Sequence, residues 1–172
     1  DGVNFKPVLD LLTEDSRDLY LLEVSSFQLE TVENLGAEVA VLLNLSEDHM
    51  DRYENLTEYH EAKQRIFNGC KQIVVNRDEH HSYPSRKMNV PVWEFGFSRP
   101  GVNGLGVLEE DGDQYLAYQF EKIVSVNELK VFGQHNISNV LAASAIAMAL
   151  GIDLKHIRAA ITEFSGLPHR CQ

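Results

Sequence analysis

Four apolar runs constrain most strongly what this chain can fold into. They read "LYLLEVSS" (19–26), "AEVAVLLNL" (37–45), "KQIVVN" (71–76) and "VPVWEFGF" (90–97). The runs are nearly continuous rather than alternating, the pattern of strands covered on both faces. Helical segments punctuate them. "KPVLDLL" (6–12) reads as a short helix with Pro7 in its first turn. "FQLETVENL" can form a helix that Gly36 stops. A third helix is expected over about 57–68. Strands alternating with helices predict an α/β fold with a mostly parallel sheet flanked by helices. A length of 172 residues favours one domain, and 44% hydrophobic residues suffice for a core.

The pattern changes after Pro100. "GVNGLGVLEEDGDQYLAYQF" has strand-like runs on either side of "EDGD" (110–113), a strong hairpin signal. "NELKVFG" predicts one more short strand, so 101–132 is expected to form a small antiparallel sub-sheet. "NISNVLAASAIAMAL" (136–150) predicts an apolar helix capped by Asn136 and stopped by Gly151. "DLKHIRAAITEF" predicts a last helix with Asp153 as N-cap, ending at Ser165 and Gly166.

The formal net charge is -11, which argues against a nucleic-acid or anionic-membrane partner. ATP is still compatible with that charge if metal ions and local cations neutralise its phosphates. Cys70 and Cys171 lie far apart and form no metal or redox motif, which suits a reducing cytoplasm. No apolar run approaches the ~18 residues of a membrane span, and no signal peptide is visible. The first residue is Asp1 rather than Met, so an excerpt of a longer chain is expected.

Two strand ends carry unusual chemistry, and carboxyl ends of parallel strands are where ligands bind. The first gives "LEVSSFQLE". Alternation puts Glu23 and Ser25 on one side of that strand, with Glu23 deep in an apolar run. A buried lone carboxylate is costly unless it is paired or metal-bound. The second strand runs into "SEDHMD", which gathers Glu47, Asp48, His49 and Asp51. Such a set can hold a divalent ion, with oxygen donors favouring Mg²⁺. A solvated acidic loop and a helix-capping Glu23 explain the same residues equally well. On the next helix, Tyr59, Lys63 and Ile66 or Phe67 share one stripe. Lys63 either snorkels to water or is buried as a neutral amine. A neutral amine can add CO2 to give a carbamate, an anionic oxygen ligand. "GQHNISN" (133–139) opens the apolar helix, where unpaired N–H groups attract anions. Asn136 and Asn139 lie one turn apart, suited to a base edge or a phosphate, with ordinary capping as the alternative for Asn136. "GLPHR" (166–170) places His169 and Arg170 after the last helix. Arg170 is either a phosphate clamp or an ordinary tail arginine.

Taken together, "LLEVSSFQLETV", "NLSEDHMDRY", "YHEAKQRIF", "GQHNISNVLAA" and "GLPHR" resemble the Mur ligases, most closely the D-glutamate-adding branch. The resemblance runs from about residue 7 to 170, in order and spacing. It implies that 1–172 is the central, ATP-binding domain, truncated at its start and ending at the boundary to a C-terminal domain. It implies Glu23 and His49 as Mg²⁺ ligands, and Lys63 as a carbamylated lysine completing that site. Ser25 and Gln28 would lie near the phosphates and the muramoyl substrate. Asn136, Asn139 and Arg170 would contact ATP, with His169 at a motif position beside them. The activity implied is ATP-dependent addition of D-glutamate to UDP-N-acetylmuramoyl-L-alanine through an acyl phosphate. The setting implied is bacterial, cytoplasmic cell-wall synthesis, by a protein that is a monomer at full length.

The sequence also departs from that pattern. No G-x-x-G-K-[ST] phosphate loop is present, and "GVNGLG" (101–106) lacks the Lys-Ser/Thr pair and reads as turns. "DGVNFKP" replaces the Gly-Asn-x-Gly stretch that the family places before Pro7, so Asn4 is not a safe ligand. The expected fold therefore lacks the family's first strand and phosphate loop, and the chain alone is expected to be inactive. A non-catalytic module of the same fold, a ligase for another amino acid and a metal hydrolase are the competing readings. Upstream sequence, amino-acid dependence and ATP independence would respectively distinguish them.

Overall fold

The structure is a computed structural model, and it describes residues 10, 17–46 and 51–166. Three strands, β1 (Val39–Val41), β2 (Gln72–Asn76) and β3 (Val92–Phe95), form a parallel sheet in the order β1-β2-β3. Residue pairs such as Ala40 with Ile73 and Val74 with Trp93 set the register. The central strand reads "QIVVN" because it is buried on both faces. Val74 joins the core beneath the long apolar helix, while Ile73 points the other way onto Phe67, Cys70, Ala40 and Leu42. A continuous apolar run is the signature of that double cover.

A second sheet is antiparallel: β4 (Leu105–Glu110), β5 (Asp113–Tyr118) and β6 (Glu121–Ser125). The "EDGD" hairpin forms as expected, with Asp111 at φ 54° and Gly112 at φ 86°. Positive φ at both central residues is the turn whose twist matches the flanking strands. The last strand is not "NELKVFG". It is the preceding "EKIVS", and Val126–Glu128 is a 3₁₀ turn capped by Ser125 and Glu128. A Ser-x-x-Glu capping box competes successfully with strand pairing there.

The helices are α1 (Ser26–Thr31), α2 (Leu56–Gln64), α3 (Gln134–Ala149) and α4 (Leu154–Glu163). A 3₁₀ turn, Arg65–Phe67, extends α2. Helix α3 lays Leu141, Ala142 and Ala145 on the sheets. Its end is tied down through Gln72, which donates to the Ala149 carbonyl at 2.7 Å and accepts from the Trp93 indole at 3.0 Å. Asp153 is the N-cap of α4, as expected. The N-cap of α3 is Gly133, not Asn136. Asn136 sits one turn inside and donates its amide to the Phe132 carbonyl at 2.7 Å. Helix α1 stops at Thr31, well before Gly36. Of the helix expected over 6–12, only Asp10 is described, and it is helical.

The largest correction concerns "LYLLEVSS". Residues 19–25 form no strand, and Leu19, Tyr20, Leu21 and Leu22 are exposed, Leu21 by 86%. Among the described residues the ladder ends at β1, whose only partner is β2. An apolar run becomes a buried strand only where a ladder and a covering layer receive it. Glu23 is accordingly exposed, so the argument from a costly buried carboxylate does not apply to it.

Candidate functional site

The described candidate residues fall into two groups. The first group lies where α1 packs on α2. Ser25 is the N-cap of α1 and accepts from the Gln28 backbone N–H at 3.3 Å, while the Gln28 side chain accepts from the Ser25 N–H at 2.9 Å. This reciprocal box satisfies two helix-end donors and fixes where both side chains stand. Helix α2 is started by Asn55, whose side chain accepts from the Glu58 N–H at 3.0 Å. One turn on lies Tyr59, which is buried, and one turn further Lys63, which is half-buried. The Lys63 amine sits 5.2 Å from the centre of the Tyr59 ring, on its face. Lys63 therefore does not point into a closed core. A ring face attracts an ammonium, and the full burial required by the neutral-amine argument is not observed.

A dense set of polar contacts holds α1 against α2. Tyr53 donates its hydroxyl to Glu30 Oε1 at 2.6 Å, and Arg52 donates to Glu30 Oε2 at 2.5 Å. Arg65 donates to the Glu30 carbonyl at 2.6 Å. The hydrogen bonds from Tyr53 and then Arg52 hold the Glu30 carboxyl below its ordinary pKa. Burial, followed by the bond to Glu30, raises the Tyr53 phenol. Glu30 lies in "LLEVSSFQLETV" and Arg52 and Tyr53 in "NLSEDHMDRY", and neither stretch by itself shows that they pair. The available signal was an acid in one motif and an arginine-tyrosine pair in the other.

The second group lines a cavity of about 480 Å³ between α3, α4 and the segment 130–132. Asn136 and Asn139 line it together with Phe132, Phe164 and Gly166. Two amides one turn apart in a largely apolar cleft suit a planar, hydrogen-bonding ring. Sequence spacing found the amides; the aromatic walls were missed because Phe132 and Phe164 come from separate segments.

His49, His169 and Arg170 lie outside the described residues. Among the described residues no three His, Cys, Asp or Glu side chains converge in a way that could hold a metal ion. Glu23 and Lys63 alone do not make a Mg²⁺ cage, so no chemical step is routed through a metal. No helix among the described residues is long and apolar enough to cross a membrane.

Comparison with known proteins assigns the scaffold. A family profile described as the Mur ligase middle domain matches residues 2–147. The chain is 53% identical over 166 residues to UDP-N-acetylmuramoylalanine–D-glutamate ligase of Pseudomonas savastanoi pv. phaseolicola. It is 52% identical to the enzyme of that name from Pseudomonas aeruginosa, and 47% to that from Hahella chejuensis. Each alignment covers 96% of this chain and 37% of the relative, so the chain spans little more than a third of their length. Among solved structures it resembles a pseudomurein peptide ligase type C from Methanothermus fervidus, with a TM-score of 0.66 at 21% identity. That match covers 87% of this chain and 38% of the other. It also resembles a UDP-N-acetylmuramate:L-alanyl-gamma-D-glutamyl-meso-diaminopimelate ligase from Neisseria meningitides, with a TM-score of 0.59 at 22% identity, covering 76% and 40%. These two likenesses bear on the fold alone. The profile match, extending from residue 2 into α3, carries the assignment: the chain belongs to the Mur ligase family and corresponds to its middle domain.

Proposed function

We propose that this chain is the central domain of an ATP-dependent ligase that adds D-glutamate to UDP-N-acetylmuramoyl-L-alanine. The observation that carries the reading is the 53% identity, over 96% of the chain, to a relative of that name. The cavity beside Asn136 and Asn139 supports it, because it offers an adenine ring apolar walls and two amides. Arg170 and His169 follow Gly166 of the cavity lining by a few residues and belong to the same nucleotide site in this reading. The protein would act as a bacterial cytoplasmic monomer, in peptidoglycan synthesis, without nucleic-acid or membrane partners. Mg²⁺ accompanies ATP in the proposal, since a chain of net charge -11 needs cations to accept a triphosphate. Glu23 and His49 are its proposed ligands, with Lys63 as carbamate.

The reaction proceeds in two displacements. A carboxylate oxygen of the muramoyl substrate attacks the γ-phosphorus of ATP, and ADP departs with the bond electrons. The amine of D-glutamate attacks the resulting acyl phosphate, loses a proton and expels inorganic phosphate. The protein's share is mainly alignment and charge placement. Ser25 and Gln28, fixed by their mutual capping bonds, present polar atoms at the start of α1 to the phosphates and the muramoyl group. Lys63 stands on the neighbouring helix. This chain alone is proposed to be inactive, because its relatives extend well beyond it.

An isotope experiment on the full-length protein tests the reading. When the substrate carboxylate carries ¹⁸O, one labelled oxygen is expected in the phosphate released in the presence of D-glutamate. Unlabelled phosphate would exclude an acyl-phosphate route.

A further inference from the structure

We propose that Glu30 and Tyr53 are positioning residues for Lys63, acting through the ring of Tyr59. The inference rests on the reading above only in taking Lys63 as part of the active site. The geometry forms a continuous chain. Glu30 accepts from the Tyr53 hydroxyl at 2.6 Å. The Tyr53 and Tyr59 rings pack with centroids 5.2 Å apart, inclined by 50°. The Lys63 amine stands over the Tyr59 ring, also at 5.2 Å. Tyr53 and Tyr59 are each 5% exposed, so neither ring can shift without disturbing its neighbour.

The far end of the chain is anchored in three ways. Arg52 holds the second Glu30 oxygen, and its guanidinium covers the Phe27 ring at 4.6 Å. Phe27 stacks on Tyr53, with centroids 6.1 Å apart and planes within 7°. Arg65, beyond α2, grips the Glu30 carbonyl. Glu30 thus joins the helix that carries Ser25 and Gln28 to the helix that carries Lys63. A carboxylate bound to a phenol and a guanidinium is more directional than apolar packing alone. Ordinary helix docking needs only the rings. The hydroxyl and the carboxylate add angular control over Tyr59 and hence over the amine on its face.

The test uses the full-length protein with Tyr53→Phe, which keeps both rings and removes the bond to Glu30, and with Glu30→Gln as a second variant. Both are expected to keep KM for ATP within about twofold and to lower kcat by up to about 100-fold, the scale of a misplaced active-site group. In a Lys63→Ala background the same changes should cost nothing further, because the group they position is gone. Equal losses in both backgrounds, or an unchanged kcat, would overturn the proposal. If Lys63→Ala itself keeps full activity, the active-site reading of Lys63 fails together with it. A readout independent of turnover is the NMR signal of Lys63 after ¹³C-dimethylation. Its methyls should be displaced upfield by the Tyr59 ring, and Tyr53→Phe should move them toward the position of solvent-exposed lysines. A signal unmoved by Tyr53→Phe would also overturn the proposal.

Discussion

Asn139 is exposed to the cavity, so its replacement isolates a binding role from a folding one. Asn139→Leu should weaken ATP binding by the full-length protein about tenfold, equivalent to ~1.4 kcal/mol. The melting temperature should hardly change, as for most surface substitutions. Calorimetric titration with ATP measures both the loss and its specificity. Glu30 makes a second prediction, in pH. Its folded pKa lies below the ordinary value of 4.5, so its bonds to Tyr53 and Arg52 stabilise the fold above that value. That contribution is lost as pH falls through the depressed folded pKa. Urea unfolding between pH 6 and 3 should show an acid-side decline in stability that is shallower in Glu30→Gln. Identical slopes would show that the carboxylate is not coupled to folding. The residue scale is also where sequence reading was least complete. Sequence motifs single out Ser25, Gln28, Lys63, Asn136 and Asn139 as candidates, yet do not reveal that Ser25 and Gln28 cap one another. Nor do they reveal that the Lys63 amine rests on a tyrosine ring instead of pointing inward.

Among the elements, the local signals with a single physical cause were the legible ones. "EDGD" demanded positive φ at two residues and became the β4–β5 turn; "QIVVN" demanded cover on both faces and became the central strand. Where two signals competed, the outcome depended on the neighbours. "EKIVS" begins with charges, yet it completes the antiparallel sheet because Leu116 and Val124 pair across it. "NELKVFG" looked more strand-like, but a capping box turned its start into a 3₁₀ turn. The joint between the sheets is close-packed at Gly106. A Cβ there would lie 2.2 Å from the Ser98 carbonyl oxygen, which also accepts from Arg77 at 3.0 Å. Gly106→Ala should therefore cost about 1–3 kcal/mol by overpacking, read as a lower urea midpoint. A neutral result would mean that the 98–100 segment yields freely.

For the molecule as a whole, the parallel sheet, the antiparallel sub-sheet and their flanking helices were readable from pattern alone. What was not readable was the state of "LYLLEVSS", because burial is a property of neighbours and not of a run's own composition. With Leu21 86% exposed, Leu21→Ser in this chain should change its stability by less than about 0.5 kcal/mol. A buried strand at that position would lose several times as much. The same molecule-wide view determines how function is tested. The chain corresponds to 37% of its relatives' length, so the full-length protein is the one to test. The most direct measurement is phosphate release by the full-length protein with ATP, Mg²⁺ and UDP-N-acetylmuramoyl-L-alanine, with candidate amino acids added one at a time. The account predicts release that depends on D-glutamate and falls to a small residual rate in Lys63→Ala. Release driven by a different amino acid, or by none, would contradict it.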